Sequence, residues 1–146
     1  MAGERFTLRT AVYLILLKND KVLLPRRFNT GWMDGKYSLI AGHLDGNESV
    51  FDSMLREATE EAGIKITKKD LIPVKVLHRK SSDNEYVDFF FLAKHWEGEP
   101  SIQEPNKCDD MSWFSISHLP ENILPYVKEV IQTYKDNVSF IESGWA

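Results

Sequence analysis

A single cysteine, Cys108, excludes a disulfide within the chain and fits a reducing cytoplasm. Positive charge is also in short supply: 18 Lys and Arg against 22 Asp and Glu leave a formal net charge of -4, which argues against a broad basic surface for duplex nucleic acid. No apolar run approaches the ~18 residues that span a bilayer, so no membrane partner is expected. The first residues lack the basic start, apolar core and small-residue cleavage site of a secretion signal. Repeats, low-complexity tracts and linkers are missing as well. With 42% apolar and 27% charged residues, the expectation is one globular domain over residues 1–146, located in the cytoplasm, with no oligomeric state implied.

What is there is organised around residues 42–64. Asn47 is placed as an N-cap, Glu48 in a first turn and Gly63 as a stop, so a short helix is predicted between them. At about 100° per residue, Val50, Met54, Leu55, Ala58 and Ala62 gather on one side. Glu57, Glu60 and Glu61 fall on the adjoining edge. Two like charges about 4 Å apart repel by about 4 kcal/mol at an effective dielectric of about 20. A hard divalent cation removes that conflict, and magnesium is commonly held by one or two carboxylates together with substrate phosphates. On these three residues alone, a solvated acidic face fits equally well.

The whole stretch resembles the Nudix box, whose pattern is Gly, five residues, Glu, seven residues, Arg-Glu, an aliphatic, any residue, Glu-Glu, any residue, Gly, an aliphatic. Gly42, Glu48, Arg56-Glu57, Ala58, Glu60-Glu61, Gly63 and Ile64 stand at every required spacing, with Ala58 a small member of its class. The resemblance implies a hydrolase that cleaves a nucleoside diphosphate linked to another moiety, using Mg2+ or Mn2+. It implies Glu57, Glu60 and Glu61 as metal ligands and a backbone carbonyl of Ala41 or Gly42 completing the shell. By the same resemblance Arg56 fixes the glutamates, and Glu48 has a similar structural role. The implied fold is an α/β/α sandwich, a mixed β-sheet between helices.

Taken in order, residues 10–17 are a continuous β-rich apolar run expected as a buried strand. Asn19-Asp20 turns it into a second strand over 21–24, which Pro25 ends or edges. Arg26 and Arg27 follow, and in an extended chain only one of two neighbours faces a cleft as a phosphate clamp. The loop 28–37 carries Trp32 and Tyr37, which either stack on a base or fold back on the core. Residues 38–41 form a short strand delivering Gly42. Further strands are expected at 64–66, 71–78 and 86–93, with a polar turn at 67–70 and a charged hairpin loop at 79–85. Asp88, inside the third of these, either faces a substrate pocket or, the favoured reading, lies at an edge toward solvent.

Residues 104–114 are expected as a loop before the last strand. Glu104-Pro105, Lys107-Cys108, Asp109 and Trp113 resemble a pattern in the MutT-like branch of the family, some members of which draw a further catalytic carboxylate from this loop. Glu104, Asp109 and Asp110 are the candidates here, and Cys108 reads as a small buried residue rather than a nucleophile. Pro125 opens a second helix with Leu124, Val127, Val130, Ile131 and Tyr134 at helical spacing, covering the opposite sheet face. Phe140, Ile141 and Trp145 are expected to pack the tail on the domain.

The expected chemistry is attack of water on phosphorus, with Glu61 or Glu104 orienting or deprotonating it. Arg26, Arg27 and Trp32 are the candidate substrate contacts. His78 and Arg79 stand where members selective for ADP-ribose carry Pro, and Lys80 and Ser81 where dinucleoside polyphosphate hydrolases carry Tyr. The resemblance therefore favours a (deoxy)nucleoside triphosphate, including oxidised forms such as 8-oxo-dGTP, cleaved to monophosphate and pyrophosphate. Two rivals are weighed: an isomerase of this fold, which needs a cysteine upstream of the box, and a nucleotide sensor without catalysis.

Overall fold

The computed structural model describes residues 3–145; the outermost positions of the expected 1–146 domain lie outside the described residues. Strand β1 (Arg9–Lys18) is buried on both faces, which is why it reads as an unbroken apolar run. Ala11, Tyr13, Ile15 and Leu17 point to one side, and Val12, Leu14 and Leu16 to the other. Asn19 and Asp20 both take positive φ, 51° and 61°, in the two-residue turn whose twist suits a hairpin.

Strand β2 (Lys21–Arg27) runs on past Pro25, so of the two expectations, that Pro25 ends the strand or edges it, the first is not met. The Pro25 carbonyl accepts Ser38 N–H at 3.0 Å on the side away from β6 (Cys108–Ser115), the strand that pairs with β2. In a strand the N–H points the same way as the carbonyl, so the donor that proline lacks is not one β6 needs. The stretch expected as a loop up to 114 is largely β6 itself.

β3 (Ile40–His43) pairs antiparallel with the first half of β1, Ala41 opposite Tyr13 and His43 opposite Ala11. The box helix α1 (Val50–Ala62) begins later than expected. Its N-cap is Ser49, whose Oγ accepts Asp52 N–H at 3.0 Å. Gly46 and Asn47, with φ 86° and 58°, belong to the turn before it, and Glu48 precedes the helix. Gly63 ends it in the left-handed conformation, φ 69°.

Beyond α1, residues 64–66 form no strand; Lys65 makes only an isolated bridge to Glu97. A 3-10 turn at Lys68–Asp70 leads into β4 (Ile72–Lys80), followed by β5 (Glu85–Ala93), α2 (Pro125–Thr133) and β7 (Phe140–Ser143). The sheet runs β6-β2-β1-β5-β4-β7, with β3 on β1, and mixes parallel and antiparallel pairs. Met54, Ala58 and Ala62 of α1 pack against Val12, Leu14, Leu16 and Phe91. On the other face Val127, Val130 and Ile131 of α2 pack against Tyr13, Ile15 and Phe90. This is the α/β/α arrangement with a mixed sheet.

At the C-terminal end Ile141 packs on the core and Trp145 Nε1 donates to the His78 carbonyl at 3.1 Å, whereas Phe140, expected to pack, faces solvent. Among the described residues no helix is long and apolar enough to cross a membrane.

Candidate active site

Arg56 is the hub of the box. Its Nε and Nη2 hold the two Glu48 oxygens at 3.1 and 2.8 Å. Its Nη1 bridges Glu57 at 2.9 Å and Glu60 at 3.1 Å. The early cap at Ser49 makes this possible, because Glu48 sits outside the helix and reaches across the first turns. The Arg56 hydrogen bonds hold the Glu48 carboxyl below the usual carboxylate range. The Glu57 carboxylate lies directly against Gly42 at the end of β3, where a Cβ would displace it.

Glu61 points the other way, toward the sheet. Its Oε1 accepts Ala41 N–H at 2.8 Å. Burial pushes its pKa up to about 8, with the charges of Glu57 and Glu104 adding to the rise and Ala41 N–H and Arg27 opposing it. Burial also pushes Glu57 up to about 6, against the pull of Arg56. The charges of Glu57 on α1 and Glu104 on the loop before β6 are thus both felt at Glu61, with the Ala41 N–H and Arg27 acting against them.

Of the carboxylates proposed from residues 104–110, only Glu104 bears on Glu61. Asp109 is paired with Arg26 at 2.7 Å. Asp110 accepts from Tyr37 Oη and from Ser112 Oγ, and the Tyr37 bond holds it below its ordinary range. Cys108 is half-buried with its thiol donating to the Asp110 carbonyl at 3.1 Å, and burial pushes the thiol up, away from thiolate chemistry.

Arg26 and Arg27 diverge at a register shift between β2 and β6, as alternation requires. Arg26 donates from Nε to Asp109 at 2.7 Å, and among the described residues its terminal nitrogens make no hydrogen bond. Arg27 donates from Nε to the Trp32 carbonyl at 2.7 Å and from Nη2 to Thr30 Oγ1 at 2.9 Å, and its guanidinium lies 4.8 Å from the Trp32 ring. It is Arg27 whose charge is felt at Glu61. The two aromatics of the preceding loop separate: Tyr37 folds onto the core, while Trp32 stays 38% exposed. The Asp34 carboxylate stiffens that loop by accepting Thr30 and Gly31 N–H at 3.0 Å each.

One group was not legible in the sequence. Asp88, expected toward solvent, is fully buried and accepts Arg79 Nε at 2.7 Å and Nη2 at 3.4 Å. Arg79 lies between the rings of Tyr86 and Tyr126, 4.1 and 4.2 Å from their centroids, with Trp32 at 6.0 Å. A basic and an acidic residue flanking the polar stretch 81–84 were the available signal. An antiparallel hairpin folded there places position 79 opposite 86, diagonal to 88.

Among the described residues no three carboxylate, histidine or cysteine side chains converge on one point at ligand distance. Arg56 Nη1 stands between Glu57 and Glu60 in their place. The donor set nevertheless fits a hard divalent cation. It is all oxygen, it includes two carboxyls that burial drives toward neutrality, and the absent side chain of Gly42 lets the Glu57 carboxylate lie against β3.

The sequence model of the NUDIX domain matches residues 7–134. The NAD-capped RNA hydrolase NudC of Pseudomonas aeruginosa (strain LESB58) is 29% identical over 113 residues, 77% of this chain and 38% of that protein. The chain thus spans well under half the length of the NudC relatives it matches. The 8-oxo-dGTP diphosphatase of Escherichia coli (strain K12) is 27% identical over 124 residues, 85% of this chain and 92% of that one. A MutT NUDIX hydrolase from Burkholderia pseudomallei superimposes with a TM-score of 0.81 at 22% identity, covering 87% of this chain and 98% of that one, which speaks for the fold alone.

Proposed function

The chain belongs to the Nudix family, and on that premise we propose that it hydrolyses a (deoxy)nucleoside triphosphate, normal or oxidised, to the monophosphate and pyrophosphate, with Mg2+ as cofactor and Mn2+ able to replace it. The observation that carries this reading is a pair of sheltered carboxyls on one helix: burial raises Glu57, which lies against Gly42, to about 6 and Glu61 to about 8, and the charge of Glu57 adds to the rise at Glu61. Such a cluster is unfavourable in isolation and is stabilised by a cation and a polyphosphate.

Glu57, Glu60 and Glu61 would hold the metal, which when bound offsets phosphate charge and acidifies a bound water. Arg56 keeps Glu57 and Glu60 in place and, by gripping Glu48, ties them to the turn before α1. Arg27, whose charge is felt at Glu61, neutralises the phosphates from the β2 side, while Arg26 diverges from it and is held by Asp109. Trp32 offers an exposed ring for the base. Glu61 receives the proton of the attacking water, with Glu104 beside it as the alternative acceptor.

The likeness to an 8-oxo-dGTP diphosphatase over nearly all of that protein supports a triphosphate substrate. The likeness to NAD-capped RNA hydrolases supports a second reading, cleavage of a dinucleotide pyrophosphate such as NAD. A panel of deoxynucleoside triphosphates, 8-oxo-dGTP, NAD and a nucleotide sugar, assayed with Mg2+ for pyrophosphate and for mononucleotides, separates the two. Pyrophosphate from the triphosphates is the expected result. Turnover of NAD alone, to two mononucleotides, would overturn the substrate assignment, and no turnover of anything would favour the sensor.

A further inference from the structure

The part of this face that the mechanism leaves unused lies around Arg79. Cross-strand register puts His43, Ala11, Asp88 and Leu77 in one row over β3, β1, β5 and β4, with Arg79 two positions along β4 from Leu77. Three inter-strand steps separate β3, where Ala41 holds Glu61, from β4, a span of about 14 Å. Trp32 bridges the distance from the side, with Arg27 at 4.8 Å from its ring and Arg79 at 6.0 Å. Whatever anchors its phosphates near Arg27 and Glu61 and stacks on Trp32 therefore extends toward Arg79.

Arg79 is built to read rather than merely to brace. Two tyrosine rings fix its plane and Asp88 takes its Nε edge. Its Nη1 donates to nothing among the described residues. That nitrogen is nonetheless not one of the sealed, unpartnered polar atoms of the interior, which among the described residues are Ser53 Oγ and Tyr134 Oη. A buried arginine serving packing alone has its donors satisfied; here one edge of a fixed guanidinium is left open. Asp88 also cancels its charge. A neutral acceptor suits such a pair better than a phosphate, for which Arg27, in no carboxylate ion pair among the described residues, is the less compensated group.

We propose that Arg79, clamped between Tyr86 and Tyr126 and held by Asp88, donates to a keto oxygen of the substrate base stacked on Trp32, so that guanine and thymine nucleotides are preferred over adenine. Guanidinium has donors only, and adenine's exocyclic amino group would set donor against donor. This rests on the triphosphate reading above. One hydrogen bond to a charged donor corresponds to a preference of about 10- to 100-fold.

The test is kcat/KM for dGTP, dTTP and dATP with wild type, R79K and the double variant R79M/D88L, which removes both charges together. The wild type is expected to favour dGTP and dTTP over dATP at least about tenfold. In the double variant that ratio should fall toward one through a rise in KM for the keto substrates, with dATP changing less than about threefold. Should the double variant fail to fold, R79K, which keeps the charge and loses the planar fork, carries the same comparison. Equal use of dATP and dGTP by the wild type, or a ratio that survives in a folded variant, overturns the proposal. If no triphosphate is hydrolysed, it is the triphosphate reading that fails. Binding of dGMP against dAMP, followed by tryptophan fluorescence, then decides the role of Arg79: a preference lost with Arg79 supports it, and equal binding overturns it.

Discussion

Glu61, on the last turn of α1, accepts the main-chain N–H of Ala41, twenty positions upstream, at 2.8 Å. The bond ties the helix to the strand that delivers Gly42 and draws the carboxyl under the sheet, where burial lifts its pKa to about 8. The contact thus orients a candidate proton acceptor and offsets part of the cost of burying its charge, while burial itself leaves that charge unfavourable without a cation.

That penalty predicts a pH dependence for the metal-free protein. Glu57 and Glu61 have folded values of about 6 and about 8, above the 4.5 of a free glutamate. Between those limits the folded state binds more protons than the unfolded one, so stability is greatest below about pH 4.5 as far as these groups are concerned and falls as pH rises toward 8. Every tenfold difference in proton affinity between the folded and unfolded chain contributes at most about 1.4 kcal/mol. Melting curves in EDTA from pH 5 to 8.5 should show the decline, and Glu61→Gln should flatten it. An unchanged slope in that variant would remove Glu61 as its source.

Gly42→Ala tests the close approach. A methyl group there meets the Glu57 carboxylate, so that side chain must leave its place beside Arg56. Because the displaced group is the mobile end of a side chain, the expected stability cost is small, together with loss of most hydrolysis. Wild-type turnover in the alanine variant would mean that the Glu57 position is not needed for activity.

Trp32→Ala addresses the substrate side. The ring is exposed and bears on Arg27 and Arg79, while the loop is held by Asp34 and by Arg27 through backbone and Thr30 contacts the substitution spares. KM should rise about 5- to 100-fold, the range of one stacked base, with the melting temperature little changed. An effect on kcat alone would place Trp32 outside the binding surface.

Much of this architecture was legible from local rules. The run at β1 announced a strand buried on both faces, Asn19-Asp20 a tight turn, and Gly63 the end of the helix, because each depends on neighbours in sequence. The edge carrying Glu57, Glu60 and Glu61 follows from helical spacing, and the opposed helices follow from their apolar stripes. Asn47 misled because an asparagine also serves in a left-handed turn, which is how it is used after Gly46, leaving the cap to Ser49. Asp88 misled for another reason. A carboxylate within an apolar strand favours solvent unless a partner reaches it, and the partner, Arg79, lies on the adjacent strand, where only the hairpin register brings the two together. The division of labour between Glu104, Asp109 and Asp110 was likewise invisible, since it depends on Arg26 and Tyr37 arriving from β2 and the loop beyond it.

The central claim, that the carboxylates of α1 form a cation site, is tested most directly by Mn2+ binding followed through the free-ion electron spin resonance signal. Wild-type protein with a nucleoside triphosphate analogue should take up the metal, Glu57→Gln and Glu61→Gln should each weaken uptake by tenfold or more (roughly the effect of losing one charged ligand contact), and Glu129→Gln, on an exposed residue of α2 on the opposite sheet face, should not. Equal uptake by wild type and the two helix variants would contradict the account.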